Sequence, residues 1–463
     1  MCGVPTNERL VRLMTEAGFV DDNGDLSRKR FAREVSTAAG GKTYSHTYVA
    51  RWLSNARPRD DATRAAIREA LGVHLGRVVA EDELGFAMPD TASSDLGLAY
   101  PDRPETGVST VVELLVADLA DASALRRAPT SSSAWNDASL AWLVSSQKPF
   151  GEAKPGKIGL ADVERLRAMR TTFDRLDGSF GGDHARGALV HYLRGELPRL
   201  LRADGQSEVR KALFVAAGEA TQLAAWMSYD SGRHGLAQRY FIQALGLADA
   251  GGDRLLAASI LDAMSHQASF LGKYRESAHM ARAARLGTES AGVPILTSHF
   301  YAMEARALAR TGDAADCDRA MTGAVEHFER AVDGEGPEWI SYFDASELAA
   351  EMAHCNRDLG RPDQAIEYAT QALGAAPEES IRSNFFVAMV LADAHVDRGD
   401  IEEGVRVAEQ AFSAGDALQS ARCQGYVGEF RERLLRHRTS PVVREFASTV
   451  RGHHLWTPPS GAQ

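Results

Sequence analysis

Ala225-Trp-Met-Ser-Tyr-Asp-Ser-Gly232-Arg-His-Gly-Leu-Ala237-Gln-Arg-Tyr-Phe-Ile-Gln-Ala244 is the stretch on which the fold turns. Three small residues are set at fixed offsets around one glycine, and the arrangement recurs along the chain. Gly232, Gly272, Gly312, Gly360 and Gly399 stand 40, 40, 48 and 39 residues apart. Seven residues before each lies Ala225, Ser265, Ala305, Ala353 or Ala392, and five after lies Ala237, Ser277, Cys317, Ala365 or Gly404. Twelve after, every position is alanine: Ala244, Ala284, Ala324, Ala372 and Ala411. Two helices that cross closely at a tight glycine turn need small side chains where the backbones approach. Stacking such hairpins buries the apolar face that no single one can bury. The pattern predicts five helical hairpins over 216–415. Arg422–His437 and Pro441–Val450 read as a sixth, capping pair within 416–463, and the helices of 108–215 read as related hairpins without clear register.

This pattern resembles the tetratricopeptide repeat, although its period is a few residues long, which predicts longer loops between hairpins. In that family the first helix of each hairpin lines a concave groove. The resemblance implies groove positions at Glu219, Gln222, Trp226, Tyr229 and Asp230, then Asp262, His266 and Phe270, then His299, Arg306 and Arg310. Glu347, His354, Arg357 and Asp358 follow on the fourth hairpin, and Phe386, Met389, Asp393 and Asp397 on the fifth. Aromatics, acids and arginines together suit an extended peptide, a protein segment or a polar small molecule. The competing reading is that many of these residues pair with one another as buried polar networks.

The 463 residues leave room for two or three domains. Cys2, Cys317, Cys355 and Cys423 are scattered, with neither metal spacing nor a disulfide ladder, which points to a reducing, cytoplasmic setting. No apolar run is long enough to span a bilayer, so no membrane association is expected. Gly151-Glu-Ala-Lys-Pro-Gly-Lys157 approaches a phosphate-binding loop, but Ile158 stands where Ser or Thr would hold magnesium and no strand precedes it. No acid–base pair, nucleophile–base pair or metal set is placed by spacing. The expectation is a non-enzyme without cofactor.

The net charge of −11 is unevenly spread. Residues 27–59 hold eight Lys/Arg (Arg28, Lys29, Arg30, Arg33, Lys42, Arg51, Arg57, Arg59) against one acid, Glu34, so this stretch is at +7 and the rest at −18. A small basic reader joined to a large acidic body fits that split. Within it, Tyr44–Pro58 reads as a helix with Tyr48, Val49, Trp52 and Leu53 on one side. His46, Thr47, Ala50, Arg51 and Ser54 lie on the other. Ser45 is placed to cap its start and Asn55 its end. Three further helices are expected at Asn7–Gly18, at Arg28–Ala39 with Ser27 as cap, and at about 60–71 closed by Gly72. Pro89–Gly107 is rich in Pro, Ser, Gly and Asp and reads as a linker, with Leu96, Leu98 and Tyr100 packing partway.

The four-helix stretch resembles the Xre or lambda-repressor-like helix-turn-helix class over about 6–88. Two departures are a long connection at Ala39–Tyr44 and Asn55 in place of the usual Gly. That resemblance implies base contacts from Ser45, His46, Thr47, Ala50, Arg51 and Ser54, and phosphate contacts from Arg28, Lys42, Arg57 and Arg59. Arg51 is the best base reader, since a guanidinium pairs bidentately with guanine. Residues 226–240, with Gly76-Arg-Val-Val79 and Leu98–Asp102, look like actinobacterial regulators that join an Xre-type head to a tetratricopeptide body and are associated with differentiation and antibiotic production. The expected organisation is all-α. It comprises a helix-turn-helix domain at 1–88, a linker at 89–107, a helical region at 108–215, five repeats at 216–415, and capping helices with a tail at 416–463. The expected function is transcription regulation as a homodimer on double-stranded DNA, with a signal sensed in the groove. The alternative is a protein–protein adaptor without sequence-specific DNA binding.

Overall fold

A computed structural model describes residues 7–21, 24–54, 58, 61–79, 82–86, 93–120, 122, 125, 128–145, 157–332, 334–377 and 380–457. The chain divides into two compact units, Met1–Thr91 and Ala92–Gln463. Among the described residues all regular structure is helical, apart from one isolated bridge between Val20 and Leu26.

The first unit carries α1 (Glu8–Glu16), α2 (Arg28–Ala38), α3 (His46–Leu53), α4 (Asp61–Leu75) and a 3-10 turn, Asp82–Leu84. Apolar residues at helical spacing meet in one core: Leu10, Leu13 and Met14 of α1, Phe31, Ala32 and Val35 of α2, Val49, Trp52 and Leu53 of α3, and Ile67 and Leu71 of α4. Asn7 ties the ends together. Its carboxamide oxygen accepts from Leu10 N–H at 3.1 Å, its Nδ2 donates to Leu84 O at 3.0 Å, and its backbone N–H donates to Leu53 O at 2.8 Å. The α2–α3 connection keeps its shape through Ser36 Oγ, which accepts from Tyr44 N–H at 2.8 Å, and through the Tyr44 hydroxyl, 2.5 Å from Thr63 Oγ1.

Three local expectations are corrected here. Gly72 does not close α4. The helix runs through it to Leu75, and Gly76 at φ +66° makes the left-handed exit. Tyr48 does not join the buried side of α3. It is 48% exposed, meets Tyr44 edge-on and lies tilted against Trp52. Ser27 and Ser45 occupy cap positions, but neither side chain makes a capping bond. Asn55, Arg57 and Arg59 lie outside the described residues.

The second unit begins with a segment expected to be a linker. As expected, Leu96, Leu98 and Tyr100 pack on the core that follows, and the segment is also fastened there by hydrogen bonds. Gln243 Nε2 donates to Gly97 O and Ala99 O, both at 2.9 Å, Arg239 donates to Ser94 O, and Tyr100 Oη donates to Asp249 at 2.7 Å. Gly246 has no Cβ because Pro101 occupies that space. Four helices follow: α5 (Pro104–Leu119), α6 (Ser132–Val144), α7 (Leu160–Phe180) and α8 (Gly182–Leu201). α7 and α8 form a hairpin through Gly181 at φ +86°, whereas α5 packs on α8 and on the helix His234–Gly251, and α6 on Tyr274–Thr288 and His234–Gly251.

Five hairpins then run α9 (Ser207–Asp230) with α10 (His234–Gly251), α11 (Arg254–Phe270) with α12 (Tyr274–Thr288), and α13 (Pro294–Thr311) with α14 (Ala314–Arg330). α15 (Ala345–Asp358) with α16 (Pro362–Ala375) and α17 (Ile381–Arg398) with α18 (Ile401–Ala414) complete them. α19 (Ala421–Leu434) and α20 (Pro441–Thr449) come last. All five repeat glycines are left-handed, at φ +75°, +72°, +79°, +69° and +103°. The columns seven before and five after meet at the crossing. Ser265 Oγ donates to Ser277 O at 2.8 Å, Cys317 Sγ donates to Ala305 O at 3.3 Å, and a Cβ on Gly404 would stand 2.9 Å from Ala392 O. The alanine column is buried throughout. The added period lies mostly in the helices, not in the loops as expected. α9 to α14 run 24, 18, 17, 15, 18 and 17 residues, and one long connection falls between Arg330 and Ala345.

Gly404 tests this crossing, and Gly195, away from any crossing, carries the opposite sign. Gly404→Ala should destabilise the body by about 1–3 kcal/mol, because the added methyl meets a carbonyl and Val396. Gly195→Ala, in the exposed middle of α8 with nothing within 4 Å, should stabilise by about 0.5–1 kcal/mol. Urea titrations of the two variants against the parent check both signs.

Candidate functional site

Two regions gather the residues singled out from the sequence. The first is the outward side of α3. Val49, Trp52 and Leu53 anchor the helix in the core, and Ser45, His46, Thr47, Arg51 and Ser54 are exposed on the opposite side, with Ala50 half-buried between them. Arg28 is exposed at the start of α2. Lys42 is exposed on the α2–α3 connection, where its ammonium lies 5.6 Å from the Tyr44 ring centre and 3.3 Å from Thr63 Oγ1. Short polar side chains and one arginine thus stand exposed along an anchored eight-residue helix, with Arg28 and Lys42 exposed on the preceding helix and connection.

The second region is the concave face made by the first helices of the hairpins, α9, α11, α13, α15 and α17. Trp226 stacks on Tyr229 with centroids 5.7 Å apart and meets His266 edge-on at 5.5 Å. Tyr229 Oη is 3.1 Å from His266 Nδ1, and Phe270 closes on the Tyr229 ring at 5.4 Å. Asp262 pairs with His299 at 3.0 Å, and the Tyr342 hydroxyl is 3.2 Å from the other nitrogen of that ring. Burial opposes protonation of His299, but the Asp262 carboxylate outweighs it and raises the imidazole above its usual range. Arg306 pairs with Glu351 at 3.3 Å, and Arg357 with Asp393 at 3.0 Å. Gln222 is half-buried on α9. His354 donates from Nδ1 to Ala350 O at 2.8 Å, so its Nε2 accepts from the Tyr426 hydroxyl, also at 2.8 Å. Burial, with Arg306 and Arg357 nearby, keeps that imidazole neutral.

Tyr426 belongs to α19, and α19 was expected only to cap. Its residues Arg422, Tyr426, Glu429 and Arg433 fall at intervals of 4, 3 and 4 on one side of the helix and reach every hairpin but the second by a polar contact. Arg422 Nε donates to Asp230 at 2.7 Å, and its guanidinium lies 5.0 Å from the rings of Tyr229 and Phe386. Tyr426 also meets Arg306 at 3.2 Å. Glu429 accepts from Arg310 at 2.5 Å and stands 3.4 Å from Arg357, and Arg433 pairs with Asp393 at 3.3 Å and Asp397 at 3.0 Å. The second hairpin is touched by packing, since a Cβ on Gly425 would meet Phe270 at 3.0 Å. On the other side of α19, Cys423, Val427, Phe430 and Leu434 are buried among Phe412 and Phe446.

The two ends of the hairpin series meet at Asp230. Its carboxylate accepts from Gly182 N–H at 2.8 Å, Ser420 Oγ at 2.8 Å and Arg422 Nε at 2.7 Å, and Arg382 stands 3.4 Å away. Arg382 also pairs with Asp177 at 2.8 Å. Gln419 N–H donates to Phe180 O at 3.0 Å, which joins the backbone after α18 to the α7–α8 turn. The hairpins therefore close on themselves, held by acids from α7 and α9 and arginines from α17 and α19. The closure has an open rim: a cleft of about 700 Å³ lies among Ser231, His234, Phe270, Gln424, Arg431 and Trp456.

Arg382, Arg422, Tyr426, Glu429 and Arg433 were absent from the sequence-derived set. The 4-3-4 stripe on α19 was the available signal.

With the hairpin geometry in place, comparison with known families is specific at two points. Residues 346–379 match the tetratricopeptide repeat. The match falls on α15 and α16, whose helices are 14 residues each, close to the length that repeat requires. Residues 10–87 match the SP15 N-terminal domain, not the Xre helix-turn-helix class that the sequence suggested. No curated protein matches the chain. The matched repeat suggests a helical-repeat scaffold of the kind that engages proteins. Among the described residues no helix is long and apolar enough to cross a membrane.

Proposed function

We propose that the chain is a duplex-DNA-binding regulator whose N-terminal module reads the major groove with α3 and whose acidic tetratricopeptide body engages protein partners, including a second copy of itself. The observation that carries the reading is the division of α3 into a buried Val49–Trp52–Leu53 side and an exposed Ser45, His46, Thr47, Arg51, Ser54 side. Short polar groups permit close approach to base edges, Arg51 has the guanine-reading fork, and Arg28 and Lys42 stand where phosphate would neutralise them. A head at this scale reads only a few base pairs, so two copies on paired half-sites would supply the remaining affinity. Expected of the full chain is retention of duplex DNA that weakens steeply as salt rises and enriches a recurrent motif from a random duplex pool. A pool that shows no enrichment at low salt contradicts the reading.

The groove side chains implied as ligand contacts are engaged with one another. A ligand there must replace those bonds one for one, whereas the open rim beside His234, Phe270 and Trp456 costs less to occupy. The second reading is a protein adaptor, and the tetratricopeptide match is common to both readings. The two separate on Arg51→Ala: an adaptor keeps its partner with unchanged activity, and a regulator loses its preferred sequence.

A further inference from the structure

The connection before α19 and the tail after α20 bring one carboxylate and two imidazoles together. Asp416, His453 and His454 offer donor atoms that all lie within 4.8 Å of one another. We propose that they form a binding site for a divalent transition-metal ion of the zinc class, and that the ion clips the tail onto the connection leading into α19.

The tail is already held in place, so the two imidazoles are positioned before any ion arrives. Leu455 is buried, and Trp456 packs edge-on against Phe446 at 5.6 Å. His453 lies against the Phe412 ring at 4.9 Å. The two imidazoles stack at 4.6 Å and 24°. His454 Nε2 is 2.9 Å from Leu418 O, so it carries the hydrogen and donates, which leaves Nδ1 with its lone pair. A metal-bound histidine is oriented in this way by a carbonyl on its far nitrogen.

His453 supplies the second observation. Its Nε2 is buried and lacks a hydrogen-bond partner, although Asp416 Oδ1 is only 3.3 Å away. That 3.3 Å separation is about the edge of a tetrahedron whose metal–ligand bonds are about 2.0–2.1 Å. Binding at Nε2 moves the ring hydrogen to Nδ1 and gives up the loose 3.2 Å contact from Leu455 N–H. Asp416, with 82% of its side chain exposed, keeps the site open to solvent, and water completes the coordination. Two imidazoles and a carboxylate suit zinc, nickel or copper better than magnesium or calcium.

The test is calorimetric titration of the chelator-stripped full chain with zinc chloride, paired with thermal melts. One ion per chain is expected, with a rise in melting temperature. His454→Ala and Asp416→Asn should each weaken binding at least about 10-fold and remove the thermal shift, while His184→Ala leaves both intact. Cobalt bound at the site should give the visible bands of a four-coordinate ion in the parent and not in His454→Ala. Absence of stoichiometric binding to the parent, or retention of it in His454→Ala, overturns the proposal.

Discussion

Asp230→Ala should cost the tetratricopeptide body about 3–5 kcal/mol, because it removes the acid that joins the two ends of the hairpin series. Asp230 is 1% exposed, and the change leaves Arg422 buried with no carboxylate and Arg382 with only Asp177. For a unit of this size the loss corresponds to a melting midpoint lower by roughly 5 °C. Ser420→Ala is the matched control. It deletes one neutral donor to the same carboxylate and should cost only about 1 kcal/mol. The pH dependence has a definite sign. Burial pushes the Asp230 carboxyl up, but Arg422, Arg382 and the Gly182 N–H outweigh it, and its folded pKa ends below the usual aspartate range. A depressed folded pKa gives stabilisation that is complete above the unfolded value of about 4 and is lost as pH falls through the folded one. The gap between parent and Asp230→Ala should therefore hold from neutral pH to about pH 5 and close below that. A gap that stays constant into strong acid would contradict the role given to this carboxylate.

Arg357→Met should be as costly, for the opposite reason. Arg357 is 1% exposed at its side chain and faces three acids, Asp358, Asp393 and Glu429. Methionine keeps much of the volume and removes the charge, so about 3–5 kcal/mol is expected at pH 8. Asp393 makes this loss pH-dependent. Burial lifts its carboxyl to about 7 even with Arg357 and Arg433 beside it. A raised folded pKa means that the folded state holds the proton through the window from about 4 to about 7, so stability falls as pH rises across it. Without Arg357 that pKa climbs further, and a protonated Asp393 needs no cation. The deficit of the variant should shrink on going from pH 8 to pH 5.5, as followed by chemical denaturation at the two pH values. A deficit that grows toward low pH would contradict the assignment.

How much of this could be read from residues follows from the range of the physics. Gly232, Gly272, Gly312, Gly360 and Gly399 were legible because each turn is a local steric demand written five times. The alanine column was legible because each crossing repeats the same close approach. The side of α3 held by Val49, Trp52 and Leu53 was equally local. Tyr48 was misplaced because it sits at the margin of that arc, where a ring can rest on Tyr44 and Trp52 and still meet water. Gly72 was taken for a terminator because a glycine inside a helix and one at its end look alike without φ. Residues 93–103 have loop composition, but the carbonyls of Ser94, Gly97 and Ala99 accept from Arg239 and Gln243, some 145 residues away. The groove was the least legible part. Glu351, Asp393 and Glu429 choose among Arg306, Arg310, Arg357 and Arg433 only after the superhelix has set its curvature, and Asp230 finds Arg422 across 192 residues. Repeat length hides that curvature, so α19 passed for a cap.

The proposed contact of α3 with bases, and of its basic surroundings with phosphate, is tested by binding of labelled duplex by the full chain across a salt series. The parent is compared with Arg51→Ala and with the double variant Arg28→Ala/Lys42→Ala. The account predicts a split. Arg51→Ala loses about 1–3 kcal/mol on the preferred duplex and little on a scrambled one, with the salt slope of the remaining contacts preserved. The double variant weakens both duplexes alike and flattens the slope by about two phosphate contacts. Equal loss on both duplexes from Arg51→Ala, or no salt-dependent retention by the parent at all, would contradict it.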